Sequence, residues 1–133
     1  MATERKSLSA RSVAILKQIA RVFQRIGRGQ LAGTTVVISL VKVLTKPPVY
    51  ADEQLAATYR DLLLGSENYQ TVDIGPPVAQ LAADLRARYG PRTPDAMQIA
   101  VALIEGCEAF LTNDSQLGRV AELPILLVDE LEL

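Results

Sequence analysis

Arg92-Thr93-Pro94-Asp95-Ala96-Met97-Gln98-Ile99-Ala100-Val101-Ala102-Leu103-Ile104-Glu105-Gly106-Cys107-Glu108-Ala109-Phe110-Leu111-Thr112-Asn113-Asp114 is the stretch whose reading decides the fold. Thr93 reads as a helix N-cap and Pro94 as the first helical position. Asp95 then falls in the first turn, where a negative charge suits the helix dipole. The apolar run through Ile104 continues the helix, and Gly106 suits a left-handed C-cap. Ala109–Thr112 is a short apolar strand, and Asn113-Asp114 leaves its end. Residues 94–104 at ~1.5 Å each span roughly 16 Å as a helix. Four or five strand residues at ~3.3 Å span about 15 Å. A helix packed antiparallel on the following strand therefore returns the chain to its starting level. Asp95 and Asp114 are expected close together, at the carboxyl edge of a parallel sheet, where α/β proteins keep their sites.

Working outward, strands alternate with helices along the chain. Residues 8–27 repeat apolar side chains at helical spacing (Val13, Ile15, Leu16, Ile19, Ala20, Phe23, Ile26), with Lys17, Arg21, Arg25 and Arg28 on the other side. Thr34–Ser39 is β-branched and predicts a buried strand. Leu40–Thr45 predicts a short helix stopped by Pro47-Pro48. Asp52 caps a predicted helix from Glu53 to about Leu64, and Tyr69–Ile74 is the next predicted strand. Val78–Tyr89 is a helix closed by Gly90-Pro91, and Ile125–Val128 is the last strand. The pattern predicts one α/β domain over residues 1–133: a basic N-terminal helix in 1–30, then a core in 31–133 with helices on both faces of a parallel sheet.

Composition narrows the chemistry. The 133 residues include no histidine and no tryptophan, and Cys107 is the single cysteine. Histidine-dependent triads, histidine zinc sites and an internal disulfide are therefore excluded for this chain. Cys107 reads as a small buried residue in a reducing, cytoplasmic setting. The net charge is −1, yet the first fifty residues hold nine of the fourteen Lys/Arg and one acid, Glu4. That asymmetry predicts a basic arm on an acidic body. Thr34–Leu44 is too short and too interrupted by Lys42 for a membrane span, so no membrane association is expected. The arginine- and serine-rich start is not read as a targeting peptide, because its amphipathic pattern runs straight into the domain.

Thr93-Pro94-Asp95-Ala96 before an apolar helix, then Phe110-Leu111-Thr112-Asn113-Asp114, resembles the C-terminal half of PIN-domain ribonucleases, VapC-like toxins above all. The likeness extends back through Val43-Leu44-Thr45-Lys46-Pro47 and Tyr59-Arg60-Asp61-Leu62-Leu63, and forward through Leu123–Leu131. It covers roughly residues 23–131. Each motif alone is weak, and their order and spacing make the match specific. The resemblance implies a three-layer α/β/α fold and RNA phosphodiester hydrolysis assisted by Mg²⁺ or Mn²⁺. It implies a homodimer and, as partners, RNA and a cognate antitoxin. The family draws its acids from the end of the first strand, the helix after the second strand, the fourth helix and the end of the fourth strand. Asp95 matches the fourth-helix acid and Asp114 the fourth-strand acid, as catalytic and metal-binding residues. Thr112 and Asn113 match the supporting polar positions. Lys17, Arg21, Arg25 and Arg28 are the expected RNA-backbone contacts.

Two positions depart from the family pattern. Lys42 stands where an acid is expected before Val43-Leu44. The family's first, central strand, an apolar run ending in Asp, has no counterpart in Met-Ala-Thr-Glu-Arg-Lys. Its neighbours in the sheet would be left with unpaired edges, to be filled by the basic helix, a re-paired Thr34–Ser39 or a second protomer. Three readings follow: a metal-dependent ribonuclease with an incomplete acidic site, a non-catalytic relative that binds RNA or an antitoxin, and a degenerate product without selected function.

Overall fold

The computed structural model describes residues 21–45, 47–65 and 67–131, with the side chains of Leu40, Lys42 and Val43 outside that description. Helix α1 covers residues 21–27, and the expected earlier part of that helix lies outside the described residues. Val22 and Ile26 are buried while Arg21 and Arg28 are exposed, the two-sided character read from the sequence. The chain continues through β1 (Gly33–Val36), α2 (Ile38–Leu44), α3 (Pro47–Tyr50), α4 (Glu53–Gly65) and β2 (Tyr69–Val72). It ends with α5 (Pro76–Tyr89), α6 (Thr93–Ile104), β3 (Phe110–Thr112) and β4 (Ile125–Leu127).

Local chemistry explains most of these bounds. The Asp52 carboxylate accepts from the N–H groups of Gln54 and Leu55, both at 3.1 Å, and so starts α4 as expected. Gly90 closes α5 at φ 74°, and its N–H donates to the Arg86 carbonyl. After α6, Gly106 adopts φ 70° and the Cys107 N–H returns 2.8 Å to the Ala102 carbonyl, a Schellman closure. Pro47-Pro48 was expected to stop a helix. It also opens the single turn α3, because proline's fixed φ suits a first helical turn and its missing N–H costs nothing there.

The strands are shorter than the apolar runs predict. β1 ends at Val36, and Ile38 and Ser39 begin α2. A buried hydrogen bond of 2.7 Å between the Thr35 and Ser39 hydroxyls ties strand to helix and overrides the β-branched propensity of Val37-Ile38. β2 likewise ends at Val72, before Asp73-Ile74.

The sheet is parallel, as expected, and falls into two pairs of strands. β1 pairs with β2 in parallel, Thr35 opposite Thr71, and β3 pairs with β4 in parallel, Leu111 opposite Leu126. The two pairs form separate two-stranded sheets, and among the described residues no strand joins β1 to β3. Both pairs share one α/β/α stacking. Phe110 of β3 belongs to the main core with Val36, Leu85, Ala96, Ile99 and Val101, beneath α5 and α6. Its neighbour Leu111 points the other way, onto the smaller cluster of Val22, Ile26, Leu63 and Tyr69. Leu85 and Ile99 are fully buried, and each contributes about 1.5–3 kcal/mol of hydrophobic stabilisation.

Candidate functional site

Asp95 enters the structure as part of the first turn of α6. Thr93 was expected to cap that helix, but Arg92 is the cap residue. The Ala96 N–H reaches the Arg92 carbonyl at 2.9 Å, so the first helical bond forms one residue earlier. The Arg92 backbone is extended, and no side chain caps the helix end. The loop leading in is braced by the Arg86 Nε, which donates to the Pro91 carbonyl at 3.0 Å.

Asp95 is 4% exposed. Its Oδ2 accepts from the Arg92 Nε at 3.3 Å, one charge almost wholly enclosed and the other on a side chain 70% exposed. Among the described residues the second carboxylate oxygen has no hydrogen-bond partner. A buried carboxylate with an unmet oxygen is costly.

One helical turn further on, Gln98 projects from the same helix into a buried polar network. Its amide oxygen accepts from the Thr35 hydroxyl at 2.9 Å and from the Val36 N–H at 3.3 Å. Its amide nitrogen donates to the Ser39 hydroxyl at 2.7 Å. The Val37 N–H donates to Val72 of β2, so the Val36 N–H lies on the opposite edge of β1. Gln98 therefore satisfies part of the edge where the sheet divides. Tyr69 of β2 joins the network through Thr35, and burial, opposed by that contact, pushes its phenol up to about 12.

At the end of β3, Thr112 is buried and its hydroxyl accepts from the Asp114 N–H at 3.1 Å. The Asp114 Oδ1 accepts from the Gln116 N–H at 2.9 Å, capping a 3₁₀ turn over Ser115–Arg119. Its other oxygen has no partner among the described residues. Asn113 is half-buried beside it.

A family model of the PIN domain matches residues 9–123. The chain belongs to the PIN-domain family. No curated protein and no solved structure matches it. PIN domains are generally nucleases, typically use divalent metals and often bind nucleic acids and antitoxins. Among the described residues no helix is long and apolar enough to cross a membrane.

The PIN chemistry can be tested against the donors present. Mg²⁺ and Mn²⁺ take hard oxygen ligands, and Asp95 and Asp114 each retain one carboxylate oxygen without a partner. No hydrogen bond or ion pair joins the two acids, and no group of three His, Cys, Asp or Glu among the described residues is arranged to hold a metal. Two such oxygens, if shared by one ion, would leave most of its coordination to water. Of the other expected site residues, Lys17 lies outside the described residues. Arg21, Arg25 and Arg28 fall on α1 and its end, and Lys42 is in α2. Ser39 of α2 reaches the Asp95 helix through Gln98.

Sequence reasoning missed Gln98, Ser39, Thr35 and Arg92. Gln98 had a signal, as a lone amide among the apolar residues of α6. Arg92 had one too, an opposite charge three residues before Asp95, spaced to meet it on a helix.

Proposed function

We propose that this PIN domain holds one Mg²⁺ or Mn²⁺ through Asp95 and Asp114 and hydrolyses RNA phosphodiester bonds in the manner of VapC-like toxins. The observation that carries the reading is Asp95, a carboxylate 4% exposed with one oxygen unmet among the described residues. An enclosed, incompletely solvated carboxylate costs several kcal/mol. An ion pair with a largely exposed arginine returns about 1 kcal/mol or less. A cation at this point would remove the mismatch.

Each residue has a part in this proposal. Asp95 is set by the first turn of α6 and supplies one oxygen. Asp114 supplies another, and Thr112 fixes its backbone from inside the fold. Asn113 stands beside them as a polar support. When bound, the metal would lower the pKa of a coordinated water and offset charge on the leaving oxygen. Arg21, Arg25 and Arg28, with Lys17, would track the RNA backbone through charge. Lys42 replaces an acid of the family pattern, leaving the acidic set incomplete and the metal weakly held. This reading expects a second copy and a cognate antitoxin as partners, in the cytoplasm.

Calorimetric titration of the full chain with Mn²⁺ tests the metal step. Binding lost in Asp95→Asn and in Asp114→Asn supports the proposal, and binding indifferent to both substitutions rejects it. A second reading, a non-catalytic PIN domain that binds RNA or an antitoxin, is favoured by the lack of a three-acid group among the described residues. RNA retention without Mn²⁺-dependent cleavage would select it.

A further inference from the structure

The Arg92–Asp95 pair sits at the point where the proposed metal would bind, and the two side chains have opposite environments. The carboxylate is enclosed and held by the first turn of α6. The guanidinium is 70% exposed, on a residue whose backbone lies just before that helix. Its tie to Asp95 is a single Nε contact at 3.3 Å, longer than an ideal charge-assisted hydrogen bond. The loop carrying it is braced separately, by Arg86 on the Pro91 carbonyl.

We propose that Arg92 is a displaceable counter-cation, which neutralises the Asp95 carboxylate until a divalent cation takes its place. The inference rests on the metal-binding reading of Asp95 and adds a competitor to it. Two cations that use one carboxylate exclude each other, so binding of one weakens binding of the other by the same factor. The exposed arginine loses little when it swings into water, whereas the enclosed carboxylate requires a positive partner in either state. Arg92 thus acts as a positioning and regulatory residue. It keeps the site closed to weak cations and sets the metal concentration at which the site fills.

The test is a Mn²⁺ titration by calorimetry on the full chain with Arg92→Gln, Arg92→Lys, Asp95→Asn and the double variant Arg92→Gln/Asp95→Asn. Removing the competing charge is expected to tighten binding roughly tenfold in Arg92→Gln, within the usual range of coupling between sites. Arg92→Lys, which keeps the charge, should stay near the unmodified chain, and both variants lacking the Asp95 carboxylate should not bind. Thermal unfolding gives a second readout: without metal Arg92→Gln should melt below the unmodified chain, and Mn²⁺ should raise its melting point more. Equal or weaker binding by Arg92→Gln, with Asp95→Asn still abolishing binding, overturns the competitor and leaves the metal reading standing. Mn²⁺ binding that survives Asp95→Asn, or no binding by any variant, overturns both.

Discussion

Replacing Gln98 with leucine removes a side chain that joins β1, α2 and α6 by hydrogen bonds. Leucine has nearly the same bulk, so the expected loss comes from polar groups left behind rather than from a cavity. The Thr35 and Ser39 hydroxyls keep each other at 2.7 Å, and each forfeits a bond of about 0.5–1.5 kcal/mol net. The Val36 N–H, on a residue with no exposure, loses its acceptor at about 1–3 kcal/mol. Better burial of leucine than of an amide returns about 1 kcal/mol. The net expectation is a loss of about 1–5 kcal/mol, and the middle of that range is a fall of roughly 10 °C in Tm for a domain of this size. Urea unfolding followed by circular dichroism measures the stability, and amide hydrogen exchange measures protection of the Val36 N–H. A loss under about 0.5 kcal/mol, with Val36 still protected, would refute the claim that this amide fastens the edge of β1.

Three other consequences concern the same region and its supports. Tyr69 is pushed up to about 12 from 10.0, chiefly by burial, so the folded state favours the neutral phenol. The corresponding stability is fully present below pH 10 and disappears as the pH rises towards 12. Absorbance titration should show a late phenol that Tyr69→Phe removes, beside Tyr89, which its hydrogen bond to Glu122 also raises, and simultaneous ionisation of all four tyrosines by pH 10.5 would contradict it. A methyl group at Gly33 would strike the Tyr69 ring at Cδ2, meet its Cε2 at 2.8 Å and Ile26 Cδ1 at 3.0 Å. Gly33→Ala should therefore cost about 1–3 kcal/mol in denaturant unfolding, and a neutral result would mean the ring does not cross that strand. Asp52→Ala removes the cap of α4 and should lower stability by about 1 kcal/mol, recovered in large part by Asp52→Ser.

Much of the fold was legible where a local rule has a dedicated residue. Asp52 caps α4 with its carboxylate, and Gly90 and Gly106 end α5 and α6 through backbone bonds that glycine favours. The parallel pairing followed from strands separated by helices. The length of β1 was not legible. Val37 and Ile38 favour strand, and the polar tie among Thr35, Ser39 and Gln98 is a contact across some sixty residues that no local window contains. The division of the sheet was anticipated as unpaired neighbours of a lost central strand. What meets the edge of β1 at Val36, an amide from α6, was not. For the site, Asp95 and Asp114 were legible as acids at the start of a helix and the end of a strand. The burial of Asp95 and its pairing with Arg92 depend on how α6 packs, which the spacing of residues does not express.

Paramagnetic relaxation mapping with sub-stoichiometric Mn²⁺ tests the central claim most directly, because it reports where the ion sits without requiring turnover. Two-dimensional amide spectra should lose the signals of Asp95-Ala96 and of Asn113-Asp114-Ser115 together at the lowest Mn²⁺ addition. Loss of one group without the other, or broadening confined to exposed acids such as Asp73 and Glu130, would show that the start of α6 and the end of β3 do not share a metal.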